Sequence, residues 1–241
     1  MVDEQDIHIS LQDRGYVFGD GLYEVVRVYN GKLFALEEHL DRFENSARLL
    51  EMNLNYSRDE IRQFFYDLVE ANKLDSGNVY IQFTRGDNAP RNHNYLPYDQ
   101  QISVVSGCTA SYLRDADKIE NGVKAILDPD KRWMLCHAKS LNLLPNCMAI
   151  AEAKRHGADK AILYRDGYIT EERAGNVMIV KNGEIFTRPD GPEILPGITK
   201  LIALDICREL HLPFEEKAFT VADLLQADEV IVTDSKTELC P

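Results

Sequence analysis

Three dipeptides, Asn30-Gly31, Asp166-Gly167 and Asn182-Gly183, each stand between two runs rich in β-branched and aromatic residues. Such pairs accept the positive φ of a tight two-residue turn, so each directs the chain into a β-hairpin. The first turns Tyr23–Tyr29 back into Lys32-Leu33-Phe34. The second turns Ala161–Tyr164 into Tyr168-Ile169-Thr170, and the third turns Asn176–Val180 into Ile185-Phe186-Thr187. Helical patterns fill the stretches between the hairpins, and grouped strands with grouped helices predict an α+β fold.

Leu36, Leu40, Phe43, Ala47 and Leu50 recur at helical spacing, with His39, Asp41, Arg42 and Arg48 among the intervening polar positions. Ser57 followed by Glu60 forms a capping box for a second helix through Ile61, Phe65 and Val69. Val79–Arg85 reads as a strand opening into the polar loop 86–93, and Ile102–Val105 as another. The small and polar run 107–114 predicts a connection between a domain of residues 1–106 and one of residues 115–241. In the second, the pattern predicts a strand at Val123–Leu127, a helix from Leu143 to a C-terminal Gly157 and a helix over Thr199–Leu210. A short helix at Thr220–Gln226 and a strand at Glu229–Thr233 follow.

A net charge of −13 over 241 residues argues against nucleic acid or an anionic membrane as the partner. No apolar run is long enough to span a bilayer, and no secretory leader opens the chain. The five cysteines are scattered without a C-x-x-C pair, as expected of reduced cytoplasmic thiols. The histidines show no metal-ligand spacing, so no metal is expected.

Chemistry concentrates in a few places. Lys139 sits among Trp133, Leu141 and Leu143, and apolar surroundings would push an amine's pKa down toward nucleophile or proton carrier. A lysine in such a segment is more often a snorkelling surface residue. Gly197-Ile198-Thr199 opens a helix, where unpaired N–H groups and a hydroxyl make an anion seat, or where Thr199 merely caps. Asp234-Ser235-Lys236-Thr237 offers a second set of donors, or a simple turn. Glu171 ends a strand, either solvated beside Glu172 or aimed at a proton-bearing ring nitrogen. Arg91 and His93 share one face of an extended loop and suit a carboxylate clamp, unless they are unrelated solvated charges.

Taken jointly, Asp13–Val25, His39-Leu40-Asp41-Arg42, Lys139-Ser140-Leu141-Asn142, Thr170-Glu171 with Asn176-Val177, and Gly197-Ile198-Thr199 resemble the fold-type IV pyridoxal-phosphate enzymes, in the family's order. That group includes branched-chain and D-amino acid aminotransferases and aminodeoxychorismate lyase. Arg91-Asn92-His93 after Thr84-Arg85-Gly86 looks like the signature of its D-amino acid aminotransferase branch. The resemblance implies a small α/β domain and a larger barrel-like one, pyridoxal 5'-phosphate as cofactor, and a homodimer. It implies Lys139 as Schiff-base lysine and Glu171 facing the pyridine nitrogen. Arg42, Ile198, Thr199 and the Asp234-Ser235 loop fall at the phosphate, and Leu195 on the ring face. Tyr23, Arg91 and His93 fall at the substrate α-carboxylate.

The activity implied is transamination between D-alanine or D-glutamate and a 2-oxo acid. The alternatives are aminodeoxychorismate lyase, a branched-chain L-aminotransferase, or an inactive cofactor-binding relative. Set against the family, the chain reads as truncated at both ends. Glu172-Arg173-Ala174-Gly175 replaces a small, hydroxyl-rich stretch, and Asp234 stands where a neutral hydroxyl would suit a phosphate better.

Overall fold

The computed structural model describes residues 6–113 and 115–241, in two compact units. Unit 1 comprises most of the chain up to Ala110 together with the short segment Ala138–Asn142. Unit 2 takes the remainder, including Ser76–Asn78. Lys139, expected with the C-terminal half, thus groups with the N-terminal one.

In unit 1 a short helix α1 (Arg14–Phe18) precedes β1 (Gly21–Tyr29) and β2 (Lys32–Leu33), which pair antiparallel across Asn30-Gly31. Helices α2 (Leu36–Leu49) and α3 (Arg58–Ala71) follow, then β3 (Gly77–Thr84) and β4 (Val104–Ser111), in a sheet of order β2-β1-β3-β4. The Ser57/Glu60 capping box starts α3 as the sequence predicts. Residues 107–111, expected in the connection, are paired in β4 instead, and Arg114 lies outside the described residues. The core joins Leu22, Val26 and Val28 of β1 to Leu40 and Phe43 of α2, Phe65 of α3 and Phe83 of β3. Phe43 meets Phe83 edge-on at 5.1 Å, a favoured aromatic geometry.

Unit 2 begins with α4 (Ala116–Asn121), β5 (Ala125–Pro129) and α5 (Leu144–Arg155). The two expected hairpins then appear as β6 (Lys160–Arg165) with β7 (Tyr168–Glu172), and β8 (Asn176–Lys181) with β9 (Glu184–Thr187). Next come α6 (Ile198–Glu209), β10 (Phe214–Glu216), α7 (Val221–Leu225), β11 (Glu229–Asp234) and β12 (Glu238–Cys240). These strands form a three-stranded sheet, β5-β6-β7, and a five-stranded one, β10-β9-β8-β11-β12. Helix α5 lays Ala149 and Ala153 beside Ala161 and Leu163 of β6, small residues permitting close approach. Ala203 and Leu204 of α6 pack on Met178 of β8. No described helix is long and apolar enough to cross a membrane.

Phe43→Ala removes a fully buried ring and should lower unit 1 stability by roughly 3–5 kcal/mol in urea unfolding.

Candidate active site

Strand β1 carries an anomaly that organises unit 1. Leu22, Glu24, Val26 and Val28 alternate onto its inner face, and all four are fully buried, the glutamate included. A buried carboxylate needs a cation and hydrogen bonds. Helix α2 supplies both, because Arg42 and His39 lie on its buried stripe with Leu36, Leu40 and Phe43. Arg42 donates from Nε to Glu24 Oε1 and from Nη2 to Oε2, each at 2.8 Å, and His39 Nδ1 stands 2.8 Å from Oε2. Burial alone would raise the Glu24 carboxyl, but Arg42 and His39 outweigh it and hold the group well below its usual value. Burial pushes His39 the other way, below its ordinary value, with Arg42 and Lys139 adding to the effect. The neutral imidazole therefore donates from Nδ1 to the carboxylate.

Lys139 is held by backbone on one side and a ring on the other. Its N–H donates to Ser46 Oγ of α2 at 3.0 Å, and its carbonyl accepts from the Tyr23 N–H of β1 at 3.0 Å. The Leu141 N–H reaches the Gly21 carbonyl at 3.0 Å, so the segment runs along the start of β1. Gly21 is required there, since a Cβ would stand 2.4 Å from the Phe83 carbonyl oxygen. The Lys139 ammonium lies 4.5 Å from the centre of the Tyr23 ring. Tyr23, not the expected jacket including Trp133, is the aromatic neighbour; Trp133 is 38% exposed.

Arg91 and His93 lie on the exposed loop after β3, and both rest on Phe18. The Arg91 guanidinium is 4.7 Å from that ring, and the His93 ring meets it edge-on at 5.3 Å.

In unit 2 the second buried carboxylate is Glu171, at the end of β7 and 4% exposed. Its Oε1 accepts from Arg132 Nη1, and its Oε2 from Asn176 Nδ2 at 3.1 Å and the Leu195 N–H at 3.0 Å. Arg132 is itself braced by Asp130, through Nε at 2.9 Å and Nη2 at 2.7 Å. Burial pushes the Glu171 carboxyl up to about 7, against the opposing pull of Arg132.

Asn176 Nδ2 also donates to the Leu195 carbonyl at 2.8 Å, tying the 195–199 segment to the strand ends. Gly197 then packs against that amide so closely that a Cβ would stand 1.9 Å from Asn176 Oδ1. Gly197 caps α6 without a side-chain hydrogen bond, so Thr199 is not the cap but lies inside the first turn. No side chain caps the first-turn amides of α6, the condition for a helix start to act as an anion seat. Thr233 of β11 pairs with Asn176 and keeps a buried hydroxyl oxygen with no hydrogen-bond partner. Glu171, Leu195, Ile198, Thr199 and the Asp234-Ser235 turn are thereby brought into one region of unit 2.

Asp234 does not burden that region with free negative charge. Its Oδ2 accepts from Lys160 Nζ at 2.9 Å and Thr237 Oγ1 at 2.6 Å, and its Oδ1 from the Lys236 and Thr237 amides. Despite burial, Lys160 and these donors lower its carboxyl below the ordinary range.

The family model for amino-transferase class IV matches residues 21–241. The chain belongs to the class IV aminotransferases. It is 42% identical over 240 residues to the D-alanine aminotransferase of Staphylococcus aureus strain N315, covering all of this chain and 84% of that one. The D-alanine aminotransferase of Listeria monocytogenes serotype 1/2a strain 10403S is 40% identical over 242 residues, covering all of this chain and 83% of that one. Among solved structures, the branched-chain amino acid aminotransferase of Escherichia coli superposes with a TM-score of 0.90 at 25% identity. That match covers all of this chain and 82% of that one.

Sequence reasoning missed the residues that brace the candidate side chains of each unit: Glu24 in unit 1, and Arg132, Asp130 and Lys160 in unit 2. Glu24 was visible in principle, as the one acid on an otherwise apolar alternation in β1. His39 and Arg42 were visible too, since they fall at i+3 and i+6 from Leu36 on the packed face of α2. Arg132 has a local partner in Asp130, two positions back, but Glu171 reaches it only through the β5–β6–β7 sheet, so nothing local marks the three as a group.

Arg132→Gln leaves only the Asn176 and Leu195 donors to oppose burial of Glu171, so its carboxyl should titrate roughly 1–3 pH units above the parent value in a ¹³C-glutamate NMR titration. The parent value already exceeds the ordinary 4.5, so the folded chain binds this proton more tightly than the unfolded one. That contribution to stability is full below about pH 4.5 and is lost as pH rises through about 7.

Proposed function

We propose that the chain catalyses pyridoxal 5'-phosphate-dependent transamination between a D-amino acid, D-alanine or D-glutamate, and a 2-oxo acid. The reading rests on full-length similarity of 40–42% to enzymes named D-alanine aminotransferase. It is supported by the lysine laid on Tyr23 and by the Arg91-x-His93 loop, which a lyase or a branched-chain L-aminotransferase does not need.

The residues present fit the cofactor. A phosphate would suit the uncapped first turn of α6 at Ile198 and Thr199, with the Ser235 hydroxyl as a further donor; Arg42, which the resemblance also puts at the phosphate, is engaged with Glu24 in unit 1. Lys160 compensates Asp234, so that carboxylate does not oppose the phosphate. Leu195 would pack on the cofactor ring, and Glu171 would face its nitrogen. The cofactor supplies an electron sink for the charge left when the substrate Cα–H bond breaks.

The chain's own groups do the rest. Lys139 would hold the cofactor aldehyde, and its Nζ would carry the substrate α-proton away and back. The Tyr23 ring beneath Nζ restricts the side from which the amine approaches. Asp130 and Arg132 brace Glu171, which keeps a proton on the ring nitrogen. Arg91, His93 and Tyr23 fix the α-carboxylate and so decide which enantiomer turns its α-hydrogen toward Lys139. The chain works as a homodimer in the cytoplasm, a reading its five free thiols support.

Offered racemic alanine with 2-oxoglutarate, the protein should consume only the D-form and yield pyruvate. Consumption of the L-form alone, or no transamination, overturns the reading. Lys139→Ala should lower kcat by at least roughly 10²–10⁴-fold and abolish the visible absorbance that borohydride bleaches in the parent.

A further inference from the structure

Two half-exposed or buried residues outside the proposed chemistry converge on the carboxylate loop. Arg14 of α1 is only 5% exposed, and its guanidinium is spent on the backbone of that loop. It donates from Nη1 to the Asn92 carbonyl at 2.6 Å and the Asn94 carbonyl at 3.4 Å, and from Nη2 to the His93 carbonyl at 3.4 Å. Its Nε donates to Asp20 at 2.7 Å, and Asp20 is held in turn by Arg85 Nε at 3.0 Å. Arg85 is anchored to the Leu50 and Glu51 carbonyls, so the brace ends in the body of unit 1. The Tyr95 ring covers both guanidinium groups, at 5.1 Å from Arg14 and 3.9 Å from Arg85.

Phe18, the last residue of α1, completes the arrangement. Its ring takes Arg91 at 4.7 Å, His93 at 5.3 Å and Arg14 at 4.9 Å. One aromatic side chain therefore carries both members of the clamp, while one buried arginine fixes the carbonyls on either side of His93. Left to itself an irregular, exposed loop would be ordered only on binding, at a cost of about 1–2 kcal/mol for each residue fixed. Ordering it beforehand turns that cost into affinity and into a set direction for the bound carboxylate.

We infer that Phe18 and Arg14 are positioning residues for substrate: they hold Arg91 and His93 in the arrangement that selects the D-enantiomer. The inference rests on the proposed D-amino acid transamination. The support lies within one chain, so it travels with the loop to whichever subunit's substrate the loop meets.

The test uses the cofactor-loaded enzyme with D-alanine and L-alanine against 2-oxoglutarate, and hydrogen–deuterium exchange of residues 87–97. Phe18→Leu should raise KM for D-alanine about tenfold with little change in kcat and lower the D/L ratio of kcat/KM, while Phe18→Tyr, which keeps the ring, stays near the parent. Arg14→Lys loses the planar fork that reaches three carbonyls, and its 87–97 amides should exchange faster than the parent's. If the parent turns over D-alanine but Phe18→Leu, folded by its unfolding midpoint, keeps the parent KM and D/L ratio, the inference is wrong and the function stands. Unchanged exchange in Arg14→Lys likewise overturns it. A parent that never accepts D-alanine removes the underlying function, a result separable from both.

Discussion

Burying one carboxylate on the inner face of β1 sets the terms for all of unit 1. Glu24 cannot sit there ionised without Arg42, and Arg42 can reach it only if α2 lies across the strand with its His39–Arg42–Ser46 stripe inward. Once α2 is so placed, Ser46 is presented to the Lys139 amide, with its own hydroxyl proton given to the Arg42 carbonyl at 2.9 Å. The neighbouring residue of β1, Tyr23, points to the other face and offers its N–H and its ring to the same lysine. A charge pair in the core thus determines where a lysine far along the chain is held. Its value is geometric more than energetic, since buried ion pairs gain little over apolar packing.

Unit 2 repeats the device with a different outcome. Glu171 is also buried and also meets an arginine, yet its carboxyl is pushed up to about 7 while Glu24 is driven down. The difference lies in how the cation is shared. Arg42 spends two nitrogens on Glu24, and His39 adds a donor. Arg132 spends Nε and Nη2 on Asp130 and reaches Glu171 with Nη1 alone, while the Asp130 charge opposes ionisation of its neighbour. One carboxylate is a permanent anion that holds structure. The other is pushed by burial into the range where a proton is gained or lost near neutrality, a perturbation common at functional sites.

The sequence disclosed what periodicity and turn chemistry encode. All three hairpins, helices α2, α3, α5 and α6, and the capping box at Ser57 follow from local spacing and local hydrogen bonds. The short elements α1, α4, β10 and β12 escaped, because three to six residues hold too little pattern to separate from loop. Strand β4 escaped in part because its residues are mostly exposed, so no apolar alternation marks its run to Ser111. Motif order singled out Lys139, Glu171 and Thr199 as candidates, but the ion pairs of the interior join distant positions, as Lys160 and Asp234, seventy-four residues apart, do. His39 and Arg42 read only as intervening polar positions of a helix, because polarity usually means solvent, a rule that fails wherever one buried charge answers another.

The Lys160–Asp234 pair makes two positions a single hereditary unit. Losing Lys160 first leaves two buried carboxylates, Asp234 and Glu172, without the cation they share, whereas losing Asp234 first leaves Lys160 still facing Glu172. The two positions are therefore tied in a set order, 234 before 160.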